Sequence, residues 1–186
     1  MTNQLITGSL SQVATQNNQS LAETFLSCDV LLIVDMSSSM NTIDAKGGRS
    51  RYDVAEEDVI RLQGKFQGKV ALIVFSSKVQ FCPTGIPIRL GGGTELAKAL
   101  EYVQVADDCG IKLIIISDGE PFDPDECLRI AKMFKSKIDT VFIGNESDLY
   151  GGRAFLTKLA AFTGGQSLKS DTPGLLAENV EMLMLR

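Results

Sequence analysis

Largely apolar runs of five or six residues alternate along the chain with segments in which apolar residues recur every three or four positions. The runs, which predict buried strands, are residues 30–34, 70–75, 111–116 and 138–143. Residues 78–81 alternate polar and apolar, which predicts a half-exposed strand, and Pro83 suits the edge of a sheet. The periodic segments predict helices, whose apolar faces include Val59, Leu100, Leu159 and Val180. This alternation predicts an α/β fold with a mostly parallel central sheet and helices on both faces.

The beginning of the chain differs in composition from the rest. Residues 1–20 are rich in Gln, Asn, Ser and Thr and contain few apolar positions. We expect residues 1–25 to form a partly ordered N-terminal arm that is helical near its end. No repeat, low-complexity tract or further shift in composition follows. Residues 26–186 are therefore predicted to form one domain, which is long enough to bury a core without disulfides or structural metals.

Histidine is absent from the 186 residues. Its absence excludes Ser-His-Asp triads, Cys-His dyads, His-ligated zinc sites and histidine pH switches. The chain has 18 Lys and Arg residues against 23 Asp and Glu residues, a formal net charge of −5, and no basic cluster. Nucleic acids and anionic membranes are therefore poor candidates for partners.

The four cysteines show no C-x-x-C spacing, which predicts reduced thiols that act as small core residues. No Lys or Arg precedes Lys46, so the N-terminus lacks the charged region of a secretory signal. No apolar run approaches the ~18 residues that a membrane helix needs. Together these features predict a cytoplasmic protein.

Oxygen-bearing side chains follow the predicted strands at the points where those strands end. The first strand leads into Asp35, Ser37 and Ser39 in a D-x-S-x-S pattern. A later buried run leads to Asp118, and a glycine-rich loop leads to Thr94. The carboxyl ends of parallel strands share one crevice, in which binding sites form. Two carboxylates and three hydroxyls are hard donors, so the set predicts a site for Mg²⁺ or Mn²⁺ rather than for zinc or copper.

Each of these residues also has a purely structural interpretation. Asp35 and the serines that follow it belong to types favoured in turns and can cap the next turn. Thr94 alone is as compatible with a helix N-cap as with a metal ligand. Asp118 precedes a glycine and in isolation is an ordinary turn residue. The combination of all five in this order favours the metal site.

Other acidic residues are expected to have surface roles. We assign Glu120, Asp44 and Asp148 to solvated positions in loops near the same edge of the sheet. The acidic start of the helix near residue 53 includes Asp58. It is predicted to be a solvated face that interacts favourably with the helix dipole.

The order and spacing of these residues resemble a von Willebrand factor type A domain with its metal-ion-dependent adhesion site. The site's D-x-S-x-S pattern, distant threonine and distant aspartate match Asp35, Ser37, Ser39, Thr94 and Asp118. The segments IIISDGE and VFIGNESDLYGGRAFLTKLAAFTGGQ resemble the family's fourth-strand ending and its later strand, loop and helix. The resemblance covers about residues 29–185, and Ser38 stands where many members carry glycine. It implies a three-layer, doubly wound, Rossmann-like fold with one antiparallel edge strand.

The resemblance also implies an intracellular protein-interaction module rather than an enzyme, without catalytic residues or an organic cofactor. In the family the two serines bind the metal directly, the threonine directly or through water, and the aspartates often through water. A Glu or Asp of a protein partner, in some relatives within a multiprotein complex, completes the metal's coordination. The last helix, about residues 173–185, resembles the element that shifts between affinity states in some members.

Two other functions are compatible with part of the pattern. A strand-terminal aspartate with Mg²⁺ also describes phosphotransferases of the haloacid dehalogenase type. Those enzymes use D-x-D, however, and Ser37 stands where the second carboxylate acts as the acid. The chain contains no G-x-x-x-x-G-K-[ST] phosphate loop, G-x-G-x-x-G turn or G-x-S-x-G elbow. The remaining alternative is a metal-free scaffold that binds partners through its surface or its N-terminal arm.

Overall fold

The computed structural model of the protein describes residues 5–119, 121–144, 151–170, 172 and 174–186. The predictions that concern Glu120, Asp148 and the start of the last helix at residue 173 lie outside the described residues. Within these ranges the chain forms seven α-helices, six β-strands and two 3-10 turns. None of the described helices combines the length and the apolar character needed to cross a bilayer.

The strands and helices lie close to the positions that the apolar patterns predict. The strands are β1 Val30–Asp35, β2 Val70–Phe75, β3 Val79–Phe81, β4 Lys112–Ser117, β5 Ile138–Ile143 and β6 Ser167–Ser170. The helices are α1 Leu10–Asn17, α2 Leu21–Leu26, α3 Arg51–Lys65, α4 Leu96–Val103, α5 Pro124–Ala131, α6 Gly152–Thr163 and α7 Leu175–Met184. The 3-10 turns span Ser38–Asn41 and Gln104–Cys109.

The described strands form one sheet in the order β3-β2-β1-β4-β5-β6. Neighbouring strands are parallel except for β2 and β3, which pair antiparallel and place β3 at the edge. Val30 at the start of β1 lies opposite Val70 of β2 and Lys112 of β4, so the three central strands end at the same level. The predicted three-layer, doubly wound fold with one antiparallel edge strand is therefore confirmed.

The central strands are buried on both faces because their side chains alternate between two apolar clusters. Leu31 and Ile33 of β1 pack in a cluster with residues of α4, α5 and α6. Leu32 and Val34 belong to the opposite cluster, which includes residues of α3 and α7. A strand that faces apolar helices on both sides has no solvated positions, which explains its uninterrupted apolar sequence.

The residues before β1 are helical and contact the core. Leu10 of α1 is buried in the same cluster as Leu31, and the ring of Phe25 meets the ring of Phe81 edge-on at 5.8 Å. Ser20 starts α2 with a reciprocal capping box, which satisfies amide groups at the helix start. These contacts connect the N-terminal segment with the sheet, while the division of the chain at residue 25 stays a prediction.

Two predictions about side chains that lie away from the ends of β1 and β4 are wrong. Asp58, expected on a solvated face, is fully buried. It accepts hydrogen bonds from the backbone amides of Gly174 and Ala177 at 2.9 and 3.3 Å, which gives its charge a partner away from water. Cys109 is exposed, whereas the other three cysteines are buried as expected.

Candidate metal centre

β1 and β4 lie side by side at the centre of the sheet, although β2 and β3 separate them along the chain. The strand order reverses at this point, which opens a crevice beyond the carboxyl ends of the two strands. Asp35 is the last residue of β1, and Asp118 directly follows Ser117, the last residue of β4. The sheet thus brings the two predicted aspartates together across the crevice.

Four of the five predicted site residues form a continuous hydrogen-bonded chain. We call this group the oxygen cluster, and it consists of Asp35, Ser37, Ser39 and Asp118. The Ser37 amide donates to Asp35 Oδ1 at 2.8 Å. The hydroxyl oxygens of Ser37 and Ser39 are 2.9 Å apart, and Ser39 Oγ donates to Asp118 Oδ1 at 2.8 Å. The cluster forms because β1 ends at Asp35 and a 3-10 turn, whose N-cap is Ser37, begins at Ser38 and carries Ser39 to the end of β4.

Asp35 is fully buried, and each of its oxygens has a hydrogen-bond donor. Ser117 Oγ donates to Oδ2 at 2.6 Å, while the Ser37 amide donates to Oδ1. Burial, and after it the charge of Asp118, raises the pKa of Asp35 from its ordinary value of 3.8 to about 6. The hydrogen bonds from Ser117 and Ser37 act in the opposite direction. These fixed donors suit Asp35 to a role in holding the serines and supplying negative charge.

A glycine-rich loop lies against the oxygen cluster and is fastened to it by Ser38. The Ser38 amide donates to the Gly92 carbonyl at 3.0 Å, and the Gly92 amide donates to Ser38 Oγ at 2.9 Å. Gly92 has a φ of +87°, and a Cβ there would lie 2.7 Å from Ser77 Oγ, so this close approach requires glycine. The serine at position 38 therefore fixes the loop that carries Thr94.

Thr94 reaches the end of β4 but lies outside the hydrogen-bonded chain of the oxygen cluster. Its carbonyl accepts the Phe122 amide at 3.0 Å, and a Cβ on Gly119 would lie 3.9 Å from Thr94 Oγ1. Across the described ranges no hydrogen bond joins Thr94 Oγ1 to another residue. The N-cap of α4 is Glu95 rather than Thr94, so the structure does not use the threonine as the helix cap.

Arg51, the first residue of α3, reaches the oxygen cluster from the side. Its Nη1 donates to Asp118 Oδ2 at 2.7 Å, and its Nε and Nη2 donate to Asp44 Oδ1 and Oδ2 at 2.9 and 2.6 Å. The hydrogen bonds to Asp44 and then to Asp118 raise the pKa of Arg51, so its charge is permanent. Asp44, predicted to have only a surface role, instead anchors this guanidinium.

Asp118 is the point at which the cluster and the arginine meet. Its side chain is inaccessible to solvent, and burial raises its pKa above the ordinary value. The hydrogen bonds from Arg51 and Ser39 act in the opposite direction and favour the carboxylate. Asp118 thus remains a usable anion because two side chains support its charge.

The spacing of the cluster oxygens suits an octahedral cation. Bonds of about 2.0–2.1 Å to Mg²⁺ place neighbouring oxygens about 2.9 Å apart. The hydroxyl oxygens of Ser37 and Ser39 are 2.9 Å apart, a hydrogen-bond length that also places them close enough to be neighbouring ligands of one cation. In the part of the chain that the structure describes, no group of three or more His, Cys, Asp or Glu side chains is placed to hold a metal ion. A cation here would therefore depend on the hydroxyl groups.

Sequence reasoning did not single out Ser117, Arg51 or Asp44 as parts of the site. A usable signal exists for Ser117, because a serine that ends an apolar strand beside an aspartate lies at the carboxyl end of the sheet. Arg51 directly follows Ser50, the capping residue of α3, and a helix that follows a strand of this sheet starts at that same end. No local sequence signal marks Asp44 as part of the site, because its contact with Arg51 depends on the path of the loop that precedes α3.

Neither a family model nor a curated protein sequence matches this chain. Among solved structures, the conserved hypothetical protein BatB from Bacteroides thetaiotaomicron matches with a TM-score of 0.60 at 16% identity, over 85% of this chain and 97% of that chain. The RO (RSR) protein of Deinococcus radiodurans has a TM-score of 0.48 at 17% identity, over 87% of this chain and 34% of that chain. At such identity the likeness to BatB concerns the fold alone, which is von Willebrand factor A-like.

Proposed function

We propose that this chain is a protein-interaction module that holds Mg²⁺ or Mn²⁺ at the oxygen cluster and uses the ion to bind an acidic side chain of a protein partner. The observation that carries the proposal is the hydrogen-bonded chain of oxygens between the ends of β1 and β4. The hydroxyls of Ser37, Ser39 and Thr94 would bind the ion. Asp35 and Asp118 would hold the serines and balance the charge.

The chemistry of the donor set supports an acidic partner. Two aspartates offset the charge of a divalent cation, while neutral hydroxyl ligands leave the ion strongly electrophilic. Asp35 already has a donor on each oxygen, so it serves the ion through the serines rather than by direct contact. Ser39 is exposed at the surface, which leaves an approach for an external ligand. A carboxylate from a partner would bind there by charge and coordination together.

The proposal assigns no catalytic role to the chain. Ser37 occupies the position at which a phosphotransferase of the haloacid dehalogenase type needs a second carboxylate, and a hydroxyl is too weak an acid for that step near neutral pH. The rival enzyme function is tested with an aryl phosphate and Mg²⁺. Hydrolysis by the wild type that is lost in Asp35→Asn would contradict the proposal.

Calorimetric titration of Mg²⁺ and Mn²⁺ into EDTA-stripped protein tests the metal site directly. We expect one site in the wild type, which is lost in Asp35→Ala and in Ser37→Ala, and a weaker site in Thr94→Val. Ser170→Ala is the matched control, because it removes a serine hydroxyl at the end of another strand, β6, that has no hydrogen-bond partner in the described ranges. Absence of binding by the wild type at millimolar metal would contradict the proposal.

A pull-down with the wild type and with Ser37→Ala tests the use of the metal. Partners are expected to be retained by the wild type in Mg²⁺, released by EDTA and absent from the Ser37→Ala sample. Substitution of the acidic residues of a captured partner should abolish its retention. Retention that neither EDTA nor Ser37→Ala changes would support a metal-free scaffold instead.

A further inference from the structure

A positive charge of the protein itself lies at the edge of the oxygen cluster. Arg51 donates one hydrogen bond to Asp118 and two to Asp44, and its side chain is 16% exposed. Asp118 divides its two oxygens between Ser39 and Arg51. One of the two carboxylates proposed to balance a metal ion is therefore already paired with a cation.

Several contacts hold Arg51 in this place. Its guanidinium meets both oxygens of Asp44 in a bidentate pair, a geometry that makes arginine pairs strong and directional. The start of α3 is fixed by a reciprocal capping box between Ser50 and Asp53. On the other side, a Cβ on Gly144 would lie 3.4 Å from Arg51 Cζ. The guanidinium is thus packed between the loop at residue 44 and the end of β5.

A guanidinium and a divalent cation that share one carboxylate repel each other. The repulsion is large at distances of a few ångströms in a partly buried site, and salt screens buried charges weakly. Arg51 therefore has two effects of opposite sign. It stabilises the negative charge of Asp118 when no metal is bound, and it weakens the attraction of the oxygen cluster for a metal ion.

Resting on the proposed function, we infer that Arg51 sets the Mg²⁺ affinity of the oxygen cluster and keeps it below the affinity that Asp35 and Asp118 would give alone. Arg51 is a positioning residue that acts through Asp118, because a guanidinium has no lone pair for a cation. The cluster stays assembled without metal. Tight metal binding then requires a further carboxylate, which the partner supplies, so that loading of the ion is coupled to capture of the partner.

The test is a calorimetric titration of Mg²⁺ into the EDTA-treated full chain. We expect Arg51→Gln to bind Mg²⁺ at least about tenfold more tightly than the wild type. Arg51→Lys keeps the charge but not the fork that pairs with Asp44, so its affinity should lie between those of the wild type and Arg51→Gln. Arg49→Gln is the matched control, since Arg49 pairs with Glu57 rather than with the cluster. It removes the same charge two residues away and should change the affinity less than about threefold.

Thermal unfolding gives a second readout, and its Mg²⁺-dependent part is one that a merely structural role would not produce. In EDTA, Arg51→Gln should melt below the wild type, because Asp118 loses the partner of its buried charge. Saturating Mg²⁺ should raise the melting temperature of Arg51→Gln by more than it raises that of the wild type, as tighter binding to the folded state requires.

The possible outcomes separate this inference from the proposed function. Equal or weaker Mg²⁺ binding by Arg51→Gln overturns the inference and leaves the proposed function intact. Binding by Arg51→Gln in the absence of detectable binding by the wild type supports the inference and contradicts the proposed function. Absence of binding in the wild type and in both Arg51 variants overturns both. If Arg51→Gln does not fold, Arg51→Lys decides, because a change of more than about tenfold with the charge retained overturns the inference.

Discussion

Two regions next to α3 bury carboxylates, and they satisfy those carboxylates with different kinds of partner. At the contact between α3 and α7, Asp58 accepts hydrogen bonds from backbone amides at the start of α7. At the oxygen cluster, Asp118 accepts hydrogen bonds from two side chains, those of Ser39 and Arg51. Backbone amides at a helix start are fixed in place, whereas the Ser39 hydroxyl can turn its proton away and admit another ligand.

This difference shows that burial of a charge does not by itself indicate a binding site. A buried carboxylate with backbone donors stabilises the fold, because its partners cannot leave without unfolding the helix. A buried carboxylate with side-chain donors can exchange one of them for a cation. Arg51 and Asp58 lie two turns apart on α3, so one helix serves both regions.

The largest effect is expected at the α3–α7 contact. Asp58→Ala should lower the free energy of unfolding by about 2–3 kcal/mol, because the amides at the start of α7 lose a charged hydrogen-bond acceptor in a buried place. Urea unfolding should give the same loss in EDTA and in Mg²⁺. Asp58→Asn keeps an acceptor and should lose less. If Mg²⁺ restored the stability of Asp58→Ala, the α3–α7 contact would also respond to the metal, and the contrast with the oxygen cluster would fail.

The next effect is the pH dependence of metal binding. With a pKa of about 6 for Asp35, about one-tenth of this carboxyl group is ionised at pH 5, so Mg²⁺ affinity should fall about tenfold between pH 7.5 and pH 5. Titrations in EDTA-free buffers at several pH values measure this fall. An affinity that stays constant over this range would show that Asp35 does not supply the negative charge of the site.

The stability of the metal-free protein should change with pH in the opposite direction. The pKa of Asp35 is raised on folding, so its contribution to stability is fully present below about pH 4 and is lost as the pH rises through about 6. Asp35→Asn should remove this part of the pH dependence. It should also abolish Mg²⁺ binding, which distinguishes it from Asp58→Asn.

A smaller effect is expected from the hydroxyl that supports Asp35. Ser117→Ala removes the 2.6 Å hydrogen bond to Asp35 Oδ2, which raises the pKa of Asp35 further and should weaken Mg²⁺ binding at pH 7 by about threefold to fivefold. The difference from the wild type should narrow at pH 9, where the carboxyl group is ionised in both proteins. Ser170→Ala is the matched control, since Ser170 ends β6 and its Oγ is buried without a hydrogen-bond partner in the described ranges.

The sequence predicts the sheet and the members of the oxygen cluster better than it predicts their partners. Apolar runs give the strands because each central strand is buried on both faces, and the ends of those strands follow from the same runs. The contact between Arg51 and Asp118 joins residues 67 positions apart, and it depends on the direction in which α3 leaves the loop. The hydrophobic periodicity of the sequence does not determine the direction of α3.

Asp58 shows a second limit of reasoning from patterns. It lies four residues after Val54 and four before Leu62, within the buried stripe of α3. Its position in this stripe is a usable signal that Asp58 is buried. The acidic residues around it at the helix start made this signal easy to miss. Its amide partners lie 116 and 119 residues further along the chain. The stripe therefore predicts the burial of Asp58, but the identity of its partners requires the packing of α7 against α3.

The smallest effect is expected at Ser38. This residue tests the comparison between backbone and side-chain partners within the segment that also carries Ser37 and Ser39. Ser38 lies between Ser37 and Ser39, yet its hydroxyl accepts a hydrogen bond from the backbone amide of Gly92. Ser38 therefore resembles Asp58, whose carboxylate also accepts from backbone amides. Ser38→Gly should lower the free energy of unfolding by about 0.5–1 kcal/mol. It should leave the Mg²⁺ affinity within about twofold, because the amide of residue 38 still donates to the Gly92 carbonyl and holds the loop that carries Thr94. Ser37→Ala should show the reverse pattern in the same two measurements. Loss of Mg²⁺ binding in Ser38→Gly would mean that a hydroxyl bonded to the backbone also controls the site, because Gly92 belongs to the loop that positions Thr94. The distinction between side chains bonded to the backbone and side chains bonded to other side chains would then fail.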